Sequence, residues 1–236
     1  MRSRPGPRRT TPRSWRHTVA RRALAGAVVA LAVLSGGCAS IRRGAVHPEI
    51  SAAAAREDPL AVSDALEGLI AVGADTPADR EFAYAAVRRS DGDTAEASFA
   101  RAAVTGRLVQ QRGLLGSDLV PDVEREAIRS RELDPGFREG AATRLLGTLW
   151  VIAPAVFLEQ GDSERGLTLL EGLVDEHPEA PENHLRLAEA YVTLQEPESA
   201  YPQLCIALSE RAKLRPDDQR LLEELVRSVG GAPCGS

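Results

Sequence analysis

The sequence predicts an all-α fold, a right-handed superhelical array of antiparallel helix pairs, on three observations. Aromatic residues make up only 4% of the 236 residues, so the core must rest on alanine, leucine and valine, which suits closely packed helices. No stretch alternates between apolar and polar residues for long enough to predict a strand. A pattern in the C-terminal half recurs at a fixed spacing, as in proteins built from stacked helical repeats.

The recurring pattern lies between residues 140 and 216 and combines small, leucine and aromatic positions. In the second helix of each pair, corresponding positions lie 34 residues apart, which is the period of the tetratricopeptide repeat (TPR). In the first helix they lie 41 apart, which indicates an insertion in the first pair. We place it within 153–161, since Pro154 cannot continue a helix. The predicted helix-packing positions are Gly147, Trp150, Gly166, Leu170, Ala188, Tyr191, Ala200, Leu204 and Ala207.

Prolines and capping residues predict where the helices begin. Proline is favoured at the first helical position, because its missing N–H has no helical partner there. Asp93 followed by Glu96 is a capping-box pattern, and Asp162 is a second predicted cap. With prolines at 59, 77, 121, 181, 197 and 216, the predicted helices span 59–73, 77–89, 94–112, 121–133, 138–152, 163–177, 181–195, 197–214 and 216–229.

The first 37 residues have the layout of a secretory signal peptide. They contain eight arginines and no acidic residue, and an apolar run at 23–34 precedes small residues and Cys38. The run is too short to span a bilayer as a permanent helix. Leu34-Ser35-Gly36-Gly37-Cys38 resembles a bacterial lipobox, although Ser35 stands where leucine is usual. This predicts lipidation of Cys38; cleavage near Ala39 by ordinary signal peptidase is the alternative.

The predicted organisation is a lipoprotein signal peptide over 1–37, a tether over 38–56, a TPR-like helical domain over 57–229 and a flexible tail over 230–236. A lipoprotein cysteine carries at least two acyl chains, which make membrane attachment stable. Residue 39 is alanine, not the aspartate that resembles a retention signal for the inner membrane. We therefore expect an outer-membrane anchor facing the periplasm.

Several segments together resemble one family of bacterial TPR lipoproteins. They are the Leu-Gly-x-Leu-Trp segment that ends at Trp150, the Ala153-Pro154 pair, the Gly161-Asp162 turn, and the segment from Pro181 to Ala190. They resemble the T component (TatT) associated with TRAP transporters. The resemblance implies an all-helical fold and a helper role in solute uptake, in which the protein docks a periplasmic solute-binding protein. The alternative is an envelope-assembly scaffold with no transport role.

The sequence contains no motif that predicts catalysis. There is no nucleophile elbow, no phosphate-binding glycine loop and no zinc-binding His-Glu-x-x-His motif. His177 and His184 lack cysteines or paired carboxylates at ligand spacing, so we expect no metal site and no cofactor. From residue 38 onward, 34 acidic residues outnumber 21 basic ones. A protein body with this excess of negative charge does not attract nucleic acid. We expect a binding module rather than an enzyme.

The recognition surface is predicted on the first helix of each pair, where TPR proteins form a concave groove. An apolar centre with a charged rim suits a protein partner. The residues predicted to face this groove are Arg144, Thr148, Val151, Ile152, Glu182, Leu185, Arg186 and Glu189.

Two further cysteines, Cys205 and Cys234, would lie in an oxidising compartment if the protein is exported. A disulfide that staples the tail and two unpaired thiols are both compatible with the sequence.

Overall fold

The computed structural model describes residues 44–231 and Cys234. Its regular structure is helical, and the described part of the chain contains no β-strand, as predicted. Three short 3-10 segments, Gly113–Leu119, Ala155–Phe157 and Arg211–Lys213, lie between α-helices. The α-helices are α1 (Pro48–Ala55), α2 (Pro59–Ala71), α3 (Pro77–Val87), α4 (Ala95–Arg112), α5 (Val120–Leu133), α6 (Ala141–Ile152), α7 (Ser163–Glu176), α8 (Pro181–Thr193), α9 (Pro197–Ser209) and α10 (Pro216–Ser228).

The predicted helix starts at proline are confirmed. Proline is the first residue of α2, α3, α8, α9 and α10, and the second residue of α5. The cap of α7 is confirmed as well, since Asp162 accepts a hydrogen bond from the Arg165 N–H. The predicted cap of α4 is wrong by one residue. Thr94 accepts from the Ala97 N–H, whereas Asp93 forms an ion pair with Arg129.

Two helix boundaries differ from the prediction because the backbone turns before a helix or after one. The helix expected from 138 begins only at Ala141, since Arg138, Glu139 and Gly140 have φ of 47°, 55° and 75°, which is left-handed backbone. Helix α9 ends at Ser209 rather than at 214, and a 3-10 turn follows it.

The helical body begins earlier than residue 57, within the segment expected to be a tether. Helix α1 buries Ile50 and Ala53 against α2 and α3. Just before it, the His47 backbone N–H donates to the Asp79 carboxylate at 2.8 Å. Asp79 also completes a capping box with Thr76 at the start of α3. Residues 48–55 are therefore part of the packed domain.

Helices α6 and α7 form the first C-terminal pair and run antiparallel. Gly140 lies against Leu173, whereas Gly147, two turns later in α6, lies against Leu170 and Gly166, which come earlier in α7. A Cβ added to Gly147 would come within 2.8 Å of Leu170 Cγ. The small residues therefore stand where the two backbones come closest, as the repeat pattern predicts.

The second pair, α8 and α9, packs through its predicted positions. Ala188, Ala200, Leu204 and Ala207 are fully buried in one core cluster, to which α10 contributes Leu222. Tyr191 contacts this cluster and the neighbouring one, and its hydroxyl donates to Glu171 of α7 at 2.7 Å. The aromatic position thus joins the two helix pairs.

The last helix meets the first half of the chain. Helix α10 contacts α2, and the Arg220 guanidinium donates to the Ala71 carbonyl at 3.2 Å. In an open solenoid each repeat contacts only its neighbours. Here the two ends of the helical array come together. Residues 42–236 form one compact unit, and each core cluster of the described residues lies within it.

A disulfide joins Cys205 of α9 to Cys234, with an S–S distance of 2.05 Å. Cys234 is thereby tied to the body, although the tail over 230–236 was expected to be flexible. Cys38 and the predicted signal peptide lie outside the described residues. Among the helices of residues 44–231, none is long and apolar enough to cross a membrane.

Candidate functional site

A cavity of about 1020 Å³ lies inside the helical array. Its walls come from α2, α4, α5, α6 and α8, from the 3-10 segments at Gly113–Leu119 and Ala155–Phe157, and from the start of α10. Its volume is at the upper end of the range typical of small-molecule pockets. The cavity exists because α10 returns to α2 and completes the wall that α6 and α8 begin.

Most of the predicted recognition residues line this cavity. They project from α6 and α8, the first helices of the two C-terminal pairs. The six that line it are Arg144, Thr148, Ile152, Glu182, Arg186 and Glu189.

Val151 and Leu185 are placed differently, and their assignment to the concave face is wrong. Val151 belongs to a core cluster with Leu170 and Leu187, and Leu185 is completely buried in the cluster formed by α8, α9 and α10. Helix α8 packs against α6, α7, α9 and α10. That leaves it a much narrower free face than a helix in an open array would have.

Part of the cavity wall is apolar. Phe99 of α4, Val123 of α5, Leu145 and Leu149 of α6, and Phe157 of the inserted segment all line it. Two lining residues reach the surface and mark the mouth of the cavity: Leu114 is 82% exposed and Ile152 is 50% exposed. Nearby on the same two 3-10 segments, Leu115 and Val156 are 87% and 82% exposed. The apolar surface therefore continues from the cavity to the outside.

The cavity wall also carries charged residues, and their ion pairs join distant parts of the chain. Arg107 of α4 donates two hydrogen bonds to Glu67 of α2, at 2.6 and 2.7 Å. Arg215, just before α10, pairs with Glu67 at 2.8 Å. Burial alone would raise the pKa of Glu67, but the hydrogen bond and charge of Arg107, together with Arg215, hold that pKa below its usual value. Glu67 is therefore a carboxylate at neutral pH.

A second group of paired charges lies beside the first. Arg186 of α8 donates to Glu189 at 2.8 Å and to Asp218 of α10 at 2.6 Å. Burial alone would lower the pKa of Arg186, but the two carboxylates raise it. Two of the predicted recognition residues, Arg186 and Glu189, are therefore engaged with each other.

Arg144 is the predicted residue that the ion pairs leave out. Its Nη1 donates to the Asn183 side-chain oxygen at 2.6 Å. Within residues 44–231 no carboxylate oxygen lies within 4.0 Å of its guanidinium nitrogens. Burial lowers the pKa of Arg144, against the opposing charge of Glu182. The cavity wall therefore holds one partly buried cation without an ion-pair partner.

Glu124 of α5 is the important residue that the sequence analysis missed. It is completely buried and accepts four hydrogen bonds, from Trp150 Nε1 and from the backbone N–H groups of Glu159, Gln160 and Gly161, at 2.7–3.0 Å. It thereby fixes the inserted segment that forms part of the cavity wall. Glutamate is rarely buried, so nothing in the local pattern marks it.

The two histidines of the C-terminal half, His177 and His184, each have their own polar contacts. His184 is buried, and its ring nitrogens lie 2.6 Å from Gln203 Oε1 and 2.8 Å from the Pro178 carbonyl oxygen. The Nδ1 of His177 lies 3.9 Å from Glu179. Over the residues that the structure describes, no group of three or more histidine, cysteine or acidic side chains is arranged to hold a metal ion.

Comparison with known proteins adds no family to this geometry. No protein-family model matches the chain, and no curated protein is significantly similar to it. The cavity and its residues therefore carry the functional argument.

Proposed function

We propose that the protein is a lipid-anchored, TPR-like binding module that faces the periplasm and serves as an accessory to a TRAP-type solute uptake system. In this proposal the helix pairs form a right-handed superhelical array whose inner surface docks a periplasmic solute-binding protein. The observation that carries the proposal is the cavity. It is lined by six of the eight residues that the repeat pattern assigns to the recognition face, and binding sites commonly combine an apolar wall with a few polar groups.

The distribution of charge supports binding rather than catalysis. Arg107, Arg186 and Arg215 are each held by carboxylates of other helices, and such pairs fix the shape of the wall. The apolar part of the wall and the exposed mouth supply surface that a partner or a small molecule would bury. A module of this kind needs no cofactor and does not bind nucleic acid.

The mouth of the cavity is where contact with a partner is expected. We expect a photo-crosslinking amino acid at Ile152 to capture a solute-binding protein in cells. The matched control is the same amino acid at Ile206, which is 39% exposed on α9 and does not line the cavity. Capture of outer-membrane assembly components at Ile152 instead would favour the envelope-assembly scaffold. Identical products from both positions would contradict a partner site at this mouth.

The lipid anchor is a separate part of the proposal. If Cys38 is acylated, labelled palmitate should enter the full chain and should be absent from Cys38→Ala, which should also leave the membrane fraction. Cys234→Ala is the matched control and should be labelled like the natural chain, because Cys234 is bonded to Cys205. Labelling of Cys38→Ala at the natural level would show that this cysteine is not the acylated residue.

A further inference from the structure

The unpaired Arg144 is unusual among the arginines of the cavity wall. Arg107, Arg138, Arg186 and Arg215 each have a carboxylate oxygen within 4.0 Å. Among the described residues, Arg144 has only the amide oxygen of Asn183 as an acceptor. That oxygen occupies one Nη1 donor, and a guanidinium has five N–H donors. The other N–H groups of Arg144 meet no acceptor in the described part of the chain. They can therefore donate to a ligand inside the cavity.

The environment of Arg144 favours an anion over water as that acceptor. A cation removed from water loses hydration energy, and a bound anion compensates for it best where water is partly excluded. Arg144 is partly buried in the cavity wall, so its charge is only partly solvated. The negative charges of Glu182, Asp218 and Glu139 also act on Arg144, but among the described residues none of these carboxylates lies within 4.0 Å of its guanidinium.

The surface next to Arg144 indicates what the anion is attached to. Thr148 and Ile152 follow Arg144 at intervals of four residues, so all three lie on one face of α6. With a rise of 1.5 Å per residue, the face runs about 12 Å from Arg144 to Ile152. Leu145 and Leu149 of α6 and Phe157 of the inserted segment also line the cavity. An apolar chain placed along this face would reach the exposed mouth.

From this arrangement we propose that the cavity binds a single-chain monocarboxylate, with its carboxylate on Arg144 and its apolar chain along α6 toward Ile152 and Phe157. The inference deepens the proposed binding function by naming the class of ligand, and it rests on that function. A planar carboxylate matches the fork of a guanidinium. A phosphate monoester would bring up to two negative charges against one cation, with Glu139 and Glu182 on the same wall.

Titration calorimetry on the chain from Arg42 to Ser236 tests the proposal. This segment forms one compact unit and lacks the apolar run at 23–34. The probes are decanoate, decan-1-ol, which has the same chain without the charge, acetate, which has the charge without the chain, and decyl phosphate. We expect decanoate to bind at least tenfold more tightly than the other three. Equal binding of decanoate and decanol, or tighter binding of decyl phosphate, would overturn the proposal.

Variants of Arg144 distinguish the loss of carboxylate binding from general effects on the fold. Arg144→Met should weaken decanoate binding about tenfold or more, since a charge-assisted pair is lost, and should leave decanol binding within about threefold. Arg144→Lys should keep the preference for decanoate, because the charge remains. Arg89→Met is the matched control, since Arg89 lies outside the cavity wall and donates only to the Ala85 carbonyl; it should bind like the natural sequence. Melting by circular dichroism checks that each variant is folded.

The decisive comparison is between Arg144→Met and the natural sequence. If both bind decanoate equally well, Arg144 is not the anchor and the proposal is wrong. These measurements need no partner protein. Failure of decanoate binding, together with capture of a solute-binding protein at Ile152, would remove the ligand assignment and leave the proposed docking function in place.

Discussion

Replacing Glu124 with alanine is expected to lower the free energy of unfolding by about 4 kcal/mol, at roughly 1 kcal/mol for each hydrogen bond that Glu124 accepts. The cost is large because the donors have no alternative acceptor. The indole N–H of Trp150 is buried, and the N–H groups of Glu159, Gln160 and Gly161 point at one carboxylate. Donors left unpaired in a buried site lose their hydration without compensation.

Tryptophan fluorescence is the direct measurement. The sequence contains two tryptophans, Trp15 and Trp150, so in the chain from Arg42 onward the emission reports Trp150 alone. We expect Glu124→Ala to shift this emission to longer wavelength before global unfolding, as the inserted segment loosens around the indole. Urea unfolding of the same chain gives the loss in stability.

Glu124→Gln is the matched control. Three of the four donors point at Oε1, which the amide oxygen of glutamine replaces. The amide nitrogen would then face the Glu159 N–H, so one hydrogen bond is lost. We expect a smaller loss of about 1–2 kcal/mol and little change in the emission. A Glu124→Ala chain as stable as the natural one would show that the carboxylate does not hold the inserted segment.

Much of the fold follows from local signals in the sequence. Proline marks the start of a helix because its fixed φ suits the first turn, and glycine marks a close helix crossing because a side chain would separate the backbones. Both signals act over a few residues, so they predicted α2–α10 to within a few residues at most ends. Helix α1 was predicted only as the end of a tether that grades into a helix, without bounds. Ala52–Ala55 carries little periodicity, and the burial of α1 depends on contacts with α2 and α3.

The site was less predictable because it depends on contacts between distant residues. The pattern placed Arg144 and Arg186 on one face. It did not show that Arg144 donates to the Asn183 amide whereas Arg186 pairs with the Asp218 carboxylate. The ion pair between Arg186 and Asp218 forms only because α10 returns to the cavity. Likewise, Glu124 acquires its role from a segment more than 30 residues away. The helical periodicity of the sequence does not reveal these contacts between distant residues.

The close crossing of α6 and α7 can be tested with two glycines of helix α7. A Cβ added to Gly166 would lie 2.7 Å from the Gly147 carbonyl oxygen and 2.9 Å from Trp150 Cβ. Backbone atoms and a Cβ cannot move aside as the end of a side chain can, so α6 and α7 would have to separate. We expect Gly166→Ala to lower the free energy of unfolding by about 3 kcal/mol, the upper range for an overpacked core, measured by urea unfolding.

Gly172 lies in the same helix and supplies the control. A Cβ there meets nothing within 4 Å, and alanine is favoured over glycine inside a helix by up to about 1 kcal/mol. Gly172→Ala should therefore raise the free energy of unfolding by about 0.5–1 kcal/mol. The two variants make the same chemical change six positions apart, so helix propensity cancels between them and the difference of about 4 kcal/mol measures the crossing. If both variants were stabilised, α6 and α7 would not meet at Gly166, and the wall formed by α6 would need a different register.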